Sequence, residues 1–425
     1  MNAKRMPSNS FLTFLDEHCQ VTRRHLLRGA AAGLTALSWT NLSSARERNP
    51  RLQKSLDALE TWLTRPDDFR DISRGKPLPH SLSAEKRKEV GLTRETWKLE
   101  VISDPDHPAK IRNAMAKEDN TALDFPALMR LAEDHAVRFP KIMTCLNIGC
   151  PLGNGIWEGV PLREVISLAQ PRENVRRVFY HGYHNDDPKQ MFRSSLPLGR
   201  VLEDPFDLPP VILCYKLNGQ WLTPERGGPV RVVVPEAYGF KSIKWLSHLY
   251  LSNIAHANDT YAEQNNDVDS HLKTFCATIS LPETAKPNEP IPVTGYAQVG
   301  ISGLSKVQVW IHNDEEQLPK TGRYYEGAPW RDAEILTPPR EWGGDLPDGR
   351  IPNPTIGFDA ATGTPESWPI RFSLAHWATM LPGLPRGNYT FRCRTIDEKG
   401  VAQPLPRPFR KSGHAAIEQL SVRVG

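Results

Sequence analysis

The 425-residue sequence predicts an α+β protein: a mixed α+β domain over residues 46–271, then an immunoglobulin-like β-sandwich over 272–425. Three observations carry this. Helical and strand periodicities alternate as far as about residue 271. From Leu272–Leu281 onward helical periodicity almost vanishes, and short strand-like runs recur between turn signals. The 38 prolines, against 29 glycines, interrupt helices and confine strands, which excludes a helical bundle. Hydrophobic residues at 39%, charged residues at 24% and a mean hydropathy of −0.48 exclude a membrane-embedded bundle. A net charge of +4 is too small to argue for nucleic acid as a partner.

The elements follow in order. Thr22–Arg28 reads T-R-R-H-L-L-R, Gly29–Trp39 is weakly apolar, and Ser43-Ser44-Ala45 offers small residues for cleavage. That order predicts a twin-arginine signal peptide over 1–45 and export to the periplasm. Leu52, Leu56, Leu59 and Leu63 give residues 46–67 a helical pattern, and Pro77 and Pro79 keep 68–80 extended. Thr96–Ile102 alternates as a strand. Phe125–Ala136 reads as a helix capped by Asp124, and Val160–Gln170 as another. Val175–Tyr180, Val211–Tyr215, Val230–Val234 and Ser242–Leu251 read as strands. So do Val293–Gln298, Lys306–His312, Ile370–Leu374, Asn388–Thr395 and Gln419–Val424, around a Pro/Gly/Trp-rich insertion at Gln317–Pro369.

Six cysteines are present, and Cys19 lies in the signal. No C-x-x-C occurs, so haem attachment, iron–sulfur clusters and structural zinc find no pattern. Cys145 and Cys150 end an apolar run in a Gly/Asn/Pro loop. Either suits a reactive thiolate, and a disulfide between them is a third state. Cys214, Cys276 and Cys393, among apolar residues, read as buried inert thiols.

Several separated segments resemble the sulfite-oxidase superfamily of molybdopterin enzymes. Lys141–Leu162 (KIMTCLNIGCPLGNGIWEGVPL) resembles the stretch following that family's molybdenum cysteine. Val211–Leu251 resembles its N-G-x-x-L…G-x-P-x-R…V-P…G…K-W stretch over forty residues. Tyr389–Asp397 and Gln403-Pro404 resemble its C-terminal dimerisation domain. The resemblance implies one molybdenum on a single molybdopterin, held by a thiolate. Its spacing to Trp157 favours Cys145 over Cys150. It also implies cofactor-binding roles for Arg226, Arg231, Lys241, Ser242, Ile243 and Lys244, and for His181 and Gly182 in V-F-Y-H-G-Y, with Tyr183 beside them. Ser73–Pro79 (SRGKPLP) aligns Arg74 with an active-site arginine and Lys76 with a pterin-binding histidine.

The resemblance has gaps. C-L-N-I-G replaces the family's C-x-x-N-R, and the tyrosine it calls for aligns with Asn265 or Asn266 rather than Tyr261. Arg74 alone is a thin clamp for a dianion such as sulfite. The expectation is therefore an exported molybdenum oxidoreductase that transfers an oxygen atom with two electrons, sulfite dehydrogenase-like. A small oxyanion or an S- or N-oxide is the substrate, a separate carrier such as cytochrome c takes the electrons, and the chain forms a homodimer. The alternatives are a sulfoxide or N-oxide reductase, or a non-catalytic exported binding protein.

Overall fold

Strands carry most of the architecture in the computed structural model, which describes residues 49–205, 208–269, 271–317, 325–403 and 409–425. The expected signal over 1–45 lies outside the described residues. From Lys54 onward the chain forms one compact unit. Helices among the described residues are short: α1 (Pro50–Asp57), α2 (Ala84–Glu89), α3 (Phe125–His135), α4 (Leu162–Leu168) and α5 (Leu198–Leu202). The α+β expectation therefore shifts toward a mainly β chain.

Local chemistry explains the shift. The Asp124 carboxylate accepts from the Ala127 N–H at 2.8 Å, and Pro126 sits in the first turn, so α3 begins where the sequence places it. The helix expected from Val160 starts only at Leu162, because Val160 and Pro161 finish a strand. The amphipathic pattern of 46–67 forms α-helix only over Pro50–Asp57 among the described residues.

The first ten strands are β1 (Lys98–Ser103), β2 (Leu123–Asp124), β3 (Val137–Thr144), β4 (Pro151–Pro161), β5 (Arg177–Gly182), β6 (Arg193–Pro197), β7 (Ile212–Leu217), β8 (Gln220–Trp221), β9 (Arg231–Val233) and β10 (Leu246–Ser252). They make two sheets. One has the order β2-β1-β10-β5-β6, with β1 and β10 parallel. The other is an antiparallel run β3-β4-β7-β8, with β9 on β7. Leu99, Val101, Val178, Tyr180, Leu249 and Leu251 fill the core beneath the first sheet, alternating along their strands as period-two patterning requires.

Eight later strands are β11 (Phe275–Ser280), β12 (Thr284–Ala285), β13 (Ile291–Gln298), β14 (Lys306–Asn313), β15 (Arg331–Ile335), β16 (Leu374–Leu381), β17 (Gly387–Ile396) and β18 (Glu418–Val424). They follow one continuous path, β11-β13-β16-β15-β14-β17-β18-β12. The sheet curls so that β11 also packs on β17, around Val293, Val307, Val309, Trp377 and Phe391. Expected and observed strands agree within about two residues except at Ser242–Leu251, whose strand begins only at Leu246, and at Ile370–Leu374. In the latter Phe372 turns inward, accepting from Ile142 N–H and donating to Val299 C=O, and the strand starts at Leu374.

The insertion Gln317–Pro369 is not a free loop. It contributes β15 to the sheet, then lays Trp342, Phe358 and Trp368 around Trp62, with ring centroids 5.2, 6.4 and 5.8 Å away. The Trp62 indole N–H donates to the Leu374 carbonyl at 2.7 Å. Trp62→Ala is expected to cost about 3–5 kcal/mol, from the emptied cluster and the lost hydrogen bond. Urea unfolding of the variant beside the parent measures it.

Candidate active site

A cavity of about 300 Å³ opens where five segments converge. They are the stretch from Phe69 to Gly75, the loop between β3 and β4, the end of β5, the segment between β8 and β10, and Tyr261. Cys145, the first residue after β3, lines it. Its backbone N–H meets the Cys150 carbonyl at 3.4 Å and its carbonyl accepts from Gly149, so the loop 145–150 closes on itself. Cys150 does not line the cavity; its sulfur faces the Arg70 guanidinium at 3.3 Å. The two thiols are free, and no disulfide joins them.

Arg74, Gly182, Arg226, Arg231, Ser242, Ile243 and Lys244 line the same cavity. Gly182 is required there: a Cβ would meet the Lys244 carbonyl at 2.0 Å, so β5 and the basic segment touch backbone to backbone. Arg231 is buried over the Trp157 ring and donates to the Arg226 and Ser242 carbonyls at 2.9 and 2.6 Å. Burial lowers its pKa to about 10. Arg226 donates to the Phe69 carbonyl at 2.7 Å, and its pKa is also lowered, chiefly by burial.

Lys244 lines the wall, but its ammonium is already engaged. It donates to Asp71 at 3.0 Å, Ser73 at 2.7 Å and the Glu225 carbonyl at 2.5 Å. Burial, then the neighbouring Arg231, bring it down to about 8, against the pull of Asp71. Burial raises the Asp71 carboxyl, but the Ser73 hydroxyl and the Lys244 charge outweigh it and hold it at about 2. This ion pair fastens the Phe69–Gly75 strap to the cavity wall.

Three expected site residues lie elsewhere. Lys76 is exposed and reaches Gln190 only through its backbone, with Gln190 Oε1 2.8 Å from its N–H. Lys241 turns away: its ammonium donates to the Ser195 carbonyl at 2.7 Å and lies 3.7 Å from Asp259. His181 is buried behind the wall, stacked on His248 at 4.5 Å and bonded at Nδ1 to the Gly182 carbonyl. Burial, then His248, depress it to about 3, so it is neutral near pH 7. Tyr183 does line the cavity. Cys214, Cys276 and Cys393 are buried as expected, and burial pushes the Cys214 thiol up to about 12.

Sequence reasoning missed Arg70, Asn147, His184 and Tyr261, all cavity-lining. Tyr261, which the alignment passed over in favour of Asn265 or Asn266, donates to Asn147 Oδ1 at 2.9 Å. Its phenol is raised by burial, against the lowering effect of Arg74. Lys141 was missed as well. Its ammonium is fully buried and donates to the Pro235 and Ala237 carbonyls at 2.9 and 2.7 Å. Only a buried position for the lysine in K-I-M-T-C could have flagged it, and strand alternation alone does not supply that.

The cavity suits a large, polar anionic cofactor. Nε of Arg226, Nε of Arg231 and Nδ1 of His184 are buried without a hydrogen-bond partner within the chain, and all three residues line it. Unpaired buried donors are costly unless a ligand satisfies them. A free thiol among such donors is the ligand set of a soft metal on an anionic carrier.

The oxidoreductase molybdopterin binding domain matches residues 88–260. The mitochondrial sulfite oxidase of Drosophila melanogaster is 27% identical over 224 residues, 47% of this chain and 35% of that protein. An NADPH nitrate reductase of Fusarium oxysporum is 26% identical over 230 residues, covering 53% and 24%. An NADH nitrate reductase of Volvox carteri is 30% identical over 129 residues, covering 29% and 15%. The matches thus span 15 to 35% of those relatives' lengths. The solved sulfane dehydrogenase SoxCD from Paracoccus pantotrophus shares the fold: TM-score 0.54 at 16% identity, over 91% of this chain and 93% of that one. Residues 88–260, which supply Cys145, Gly182, Arg226, Arg231 and Lys244 to the cavity, thus match the oxidoreductase molybdopterin binding domain, and the chain is similar there to sulfite oxidases and nitrate reductases.

Proposed function

We propose that this chain transfers an oxygen atom, coupled to two-electron redox, at a sulfur compound, in the manner of a sulfite dehydrogenase. The observation that carries this is the meeting of Cys145, Arg74 and Tyr261 in one cavity with orphaned buried donors. The names of two neighbours, a sulfite oxidase and a sulfane dehydrogenase, support sulfur as the reacting element. A single molybdenum–pterin group, when bound, supplies the exchange of the oxygen atom and the electrons.

The chain's residues do the rest. The Cys145 thiolate is the soft anionic ligand. Arg226 and Arg231 are held by backbone carbonyls and present charge-assisted donors to the cofactor's phosphate. Arg74 and Tyr261 face the substrate. Leu146, Leu152 and Trp157 exclude water from the wall beside the thiol. In this reading electrons pass to a separate carrier such as cytochrome c. The same reading includes export to the periplasm by the twin-arginine signal. It also includes a boundary near residue 271 and a homodimer through an immunoglobulin-like C-terminal domain.

Protein from a pterin-competent host is expected to carry about one molybdenum per chain, and Cys145→Ser to lose it while keeping its circular dichroism. Elemental analysis decides. Full metal in that variant removes Cys145 from the site, and Cys150→Ser then tests the rival thiol.

The strap that positions Arg74 also has a pH signature. Asp71 is held at about 2 against an ordinary 3.8, so its contribution is complete above 3.8 and disappears as pH falls through about 2. Asp71→Asn is expected to flatten this part of the acid limb, read from urea midpoints between about pH 5 and about pH 2.

A further inference from the structure

The charge at the open side of the cavity is thinner than its roll of basic residues suggests. Arg226, Arg231 and Lys244 donate to carbonyls or to Asp71, and Arg70 faces a thiol. Arg74 is held differently. Its guanidinium lies 4.5 Å from the Phe192 ring centroid and 6.0 Å from that of Tyr261. Stacking on a ring face uses none of the in-plane donors; the Tyr261 hydroxyl takes part of them, and the remainder can meet one anionic group.

The cavity that Arg74 lines also has an apolar wall. Ile72 and Ile148 line the same cavity and are 40% and 46% exposed to solvent. Water-wetted isoleucines in a concave site gain when an apolar surface covers them. The loop has no room for a further cation at Gly149. Its φ is +60°, and a Cβ there would lie 2.7 Å from the His414 Cβ. A dianion entering this mouth would lose hydration that one guanidinium cannot replace. A monoanion is balanced by Arg74, and an organic substituent would cover the isoleucines.

We propose that the substrate is an organosulfinate: a sulfur oxyanion with one negative charge and an apolar substituent. This rests on the function proposed above and names its substrate class. The reaction is R–SO₂⁻ + H₂O → R–SO₃⁻ + 2H⁺ + 2e⁻. One sulfur–oxygen bond forms, the two O–H bonds of water break, the protons go to solvent, and sulfur is oxidised. The two electrons pass to two equivalents of a one-electron acceptor. Arg74 holds the sulfinate oxygens, and Ile72, Ile148 and Phe192 hold the substituent.

The test uses molybdenum-loaded full-length protein with ferricyanide as acceptor, and benzenesulfinate and sulfite as substrates. The kcat/KM for benzenesulfinate is expected to exceed that for sulfite by about tenfold or more. Ile72→Ser and Ile148→Asn are each expected to lower the ratio of the two kcat/KM values about tenfold. Calorimetry gives a readout apart from turnover: the product analogue benzenesulfonate binds more tightly than sulfate, and Ile148→Asn removes the difference. Equal or better use of sulfite overturns the proposal, and so does a ratio that neither isoleucine variant moves. Metal-loaded protein that oxidises neither compound overturns it and leaves the cofactor reading standing. Protein that takes up no molybdenum overturns the cofactor reading itself.

Discussion

The buried ammonium of Lys141 joins the two halves of the site. It sits four residues before Cys145 on β3 and donates to the carbonyls of Pro235 and Ala237, which lead into the segment Gly239–Trp245. One side chain thereby sets how far the thiol stands from the arginine-bearing wall. Burial lowers its pKa to about 7, with Glu236 acting against that fall. Its backbone carbonyl is used too, accepting from the Trp157 indole at 2.9 Å, so the β3–β4 hairpin is pinned from both strands. Hydrogen bonds from a charged group contribute about 1.5–3 kcal/mol each, and their loss would leave two buried carbonyls unmatched.

Around that joint, charge is arranged in advance. Arg231 reaches two carbonyls and Arg226 one, so their guanidinium planes are fixed with Nε atoms left over. Burial lowers the pKa of both, so each charged form is held at a cost that an incoming phosphate would relieve. Lys244 serves differently. Its charge is matched by Asp71, and its task is to hold the strap carrying Arg70 and Arg74. Three basic residues within nineteen positions of sequence therefore have two distinct jobs.

That division sets what was legible in the sequence. The strands of both halves could be read because period-two alternation of Val, Ile and Leu is a local property. Cys145 and Arg231 could be singled out because each lies in a motif with its own spacing. Lys241 and Lys244 are three residues apart and equally basic, and nothing local separates them. What does is Asp259 for one and Asp71 for the other, the second 173 positions away in the chain. Tyr261 was passed over for the same reason: a register of spacings cannot see that Asn147 and Arg74 converge on its ring. The mixed α+β expectation erred where proline and β-branched residues shortened apparent helices, as at Val160 and Pro161.

The insertion belongs to this architecture by bracing. The segment just before the strap is stitched on three sides. Leu63 N–H donates to the Trp342 carbonyl, and Asn154 on β4 reaches the Trp62 carbonyl at 3.0 Å. Asn218 then bridges the carbonyls of Thr64 and Gly344, both at 2.9 Å. Five residues after Thr64, Phe69 packs edge-on against Trp157 at 5.8 Å and hands its carbonyl to Arg226. A strap anchored at one end by a tryptophan cluster, and midway by an ion pair, can hold an exposed arginine in place with little loss of side-chain freedom left to binding. The proline-rich insertion thus acts on the site without touching it. It stiffens the chain at Trp62, and that stiffness reaches Arg74 through twelve residues of fixed backbone.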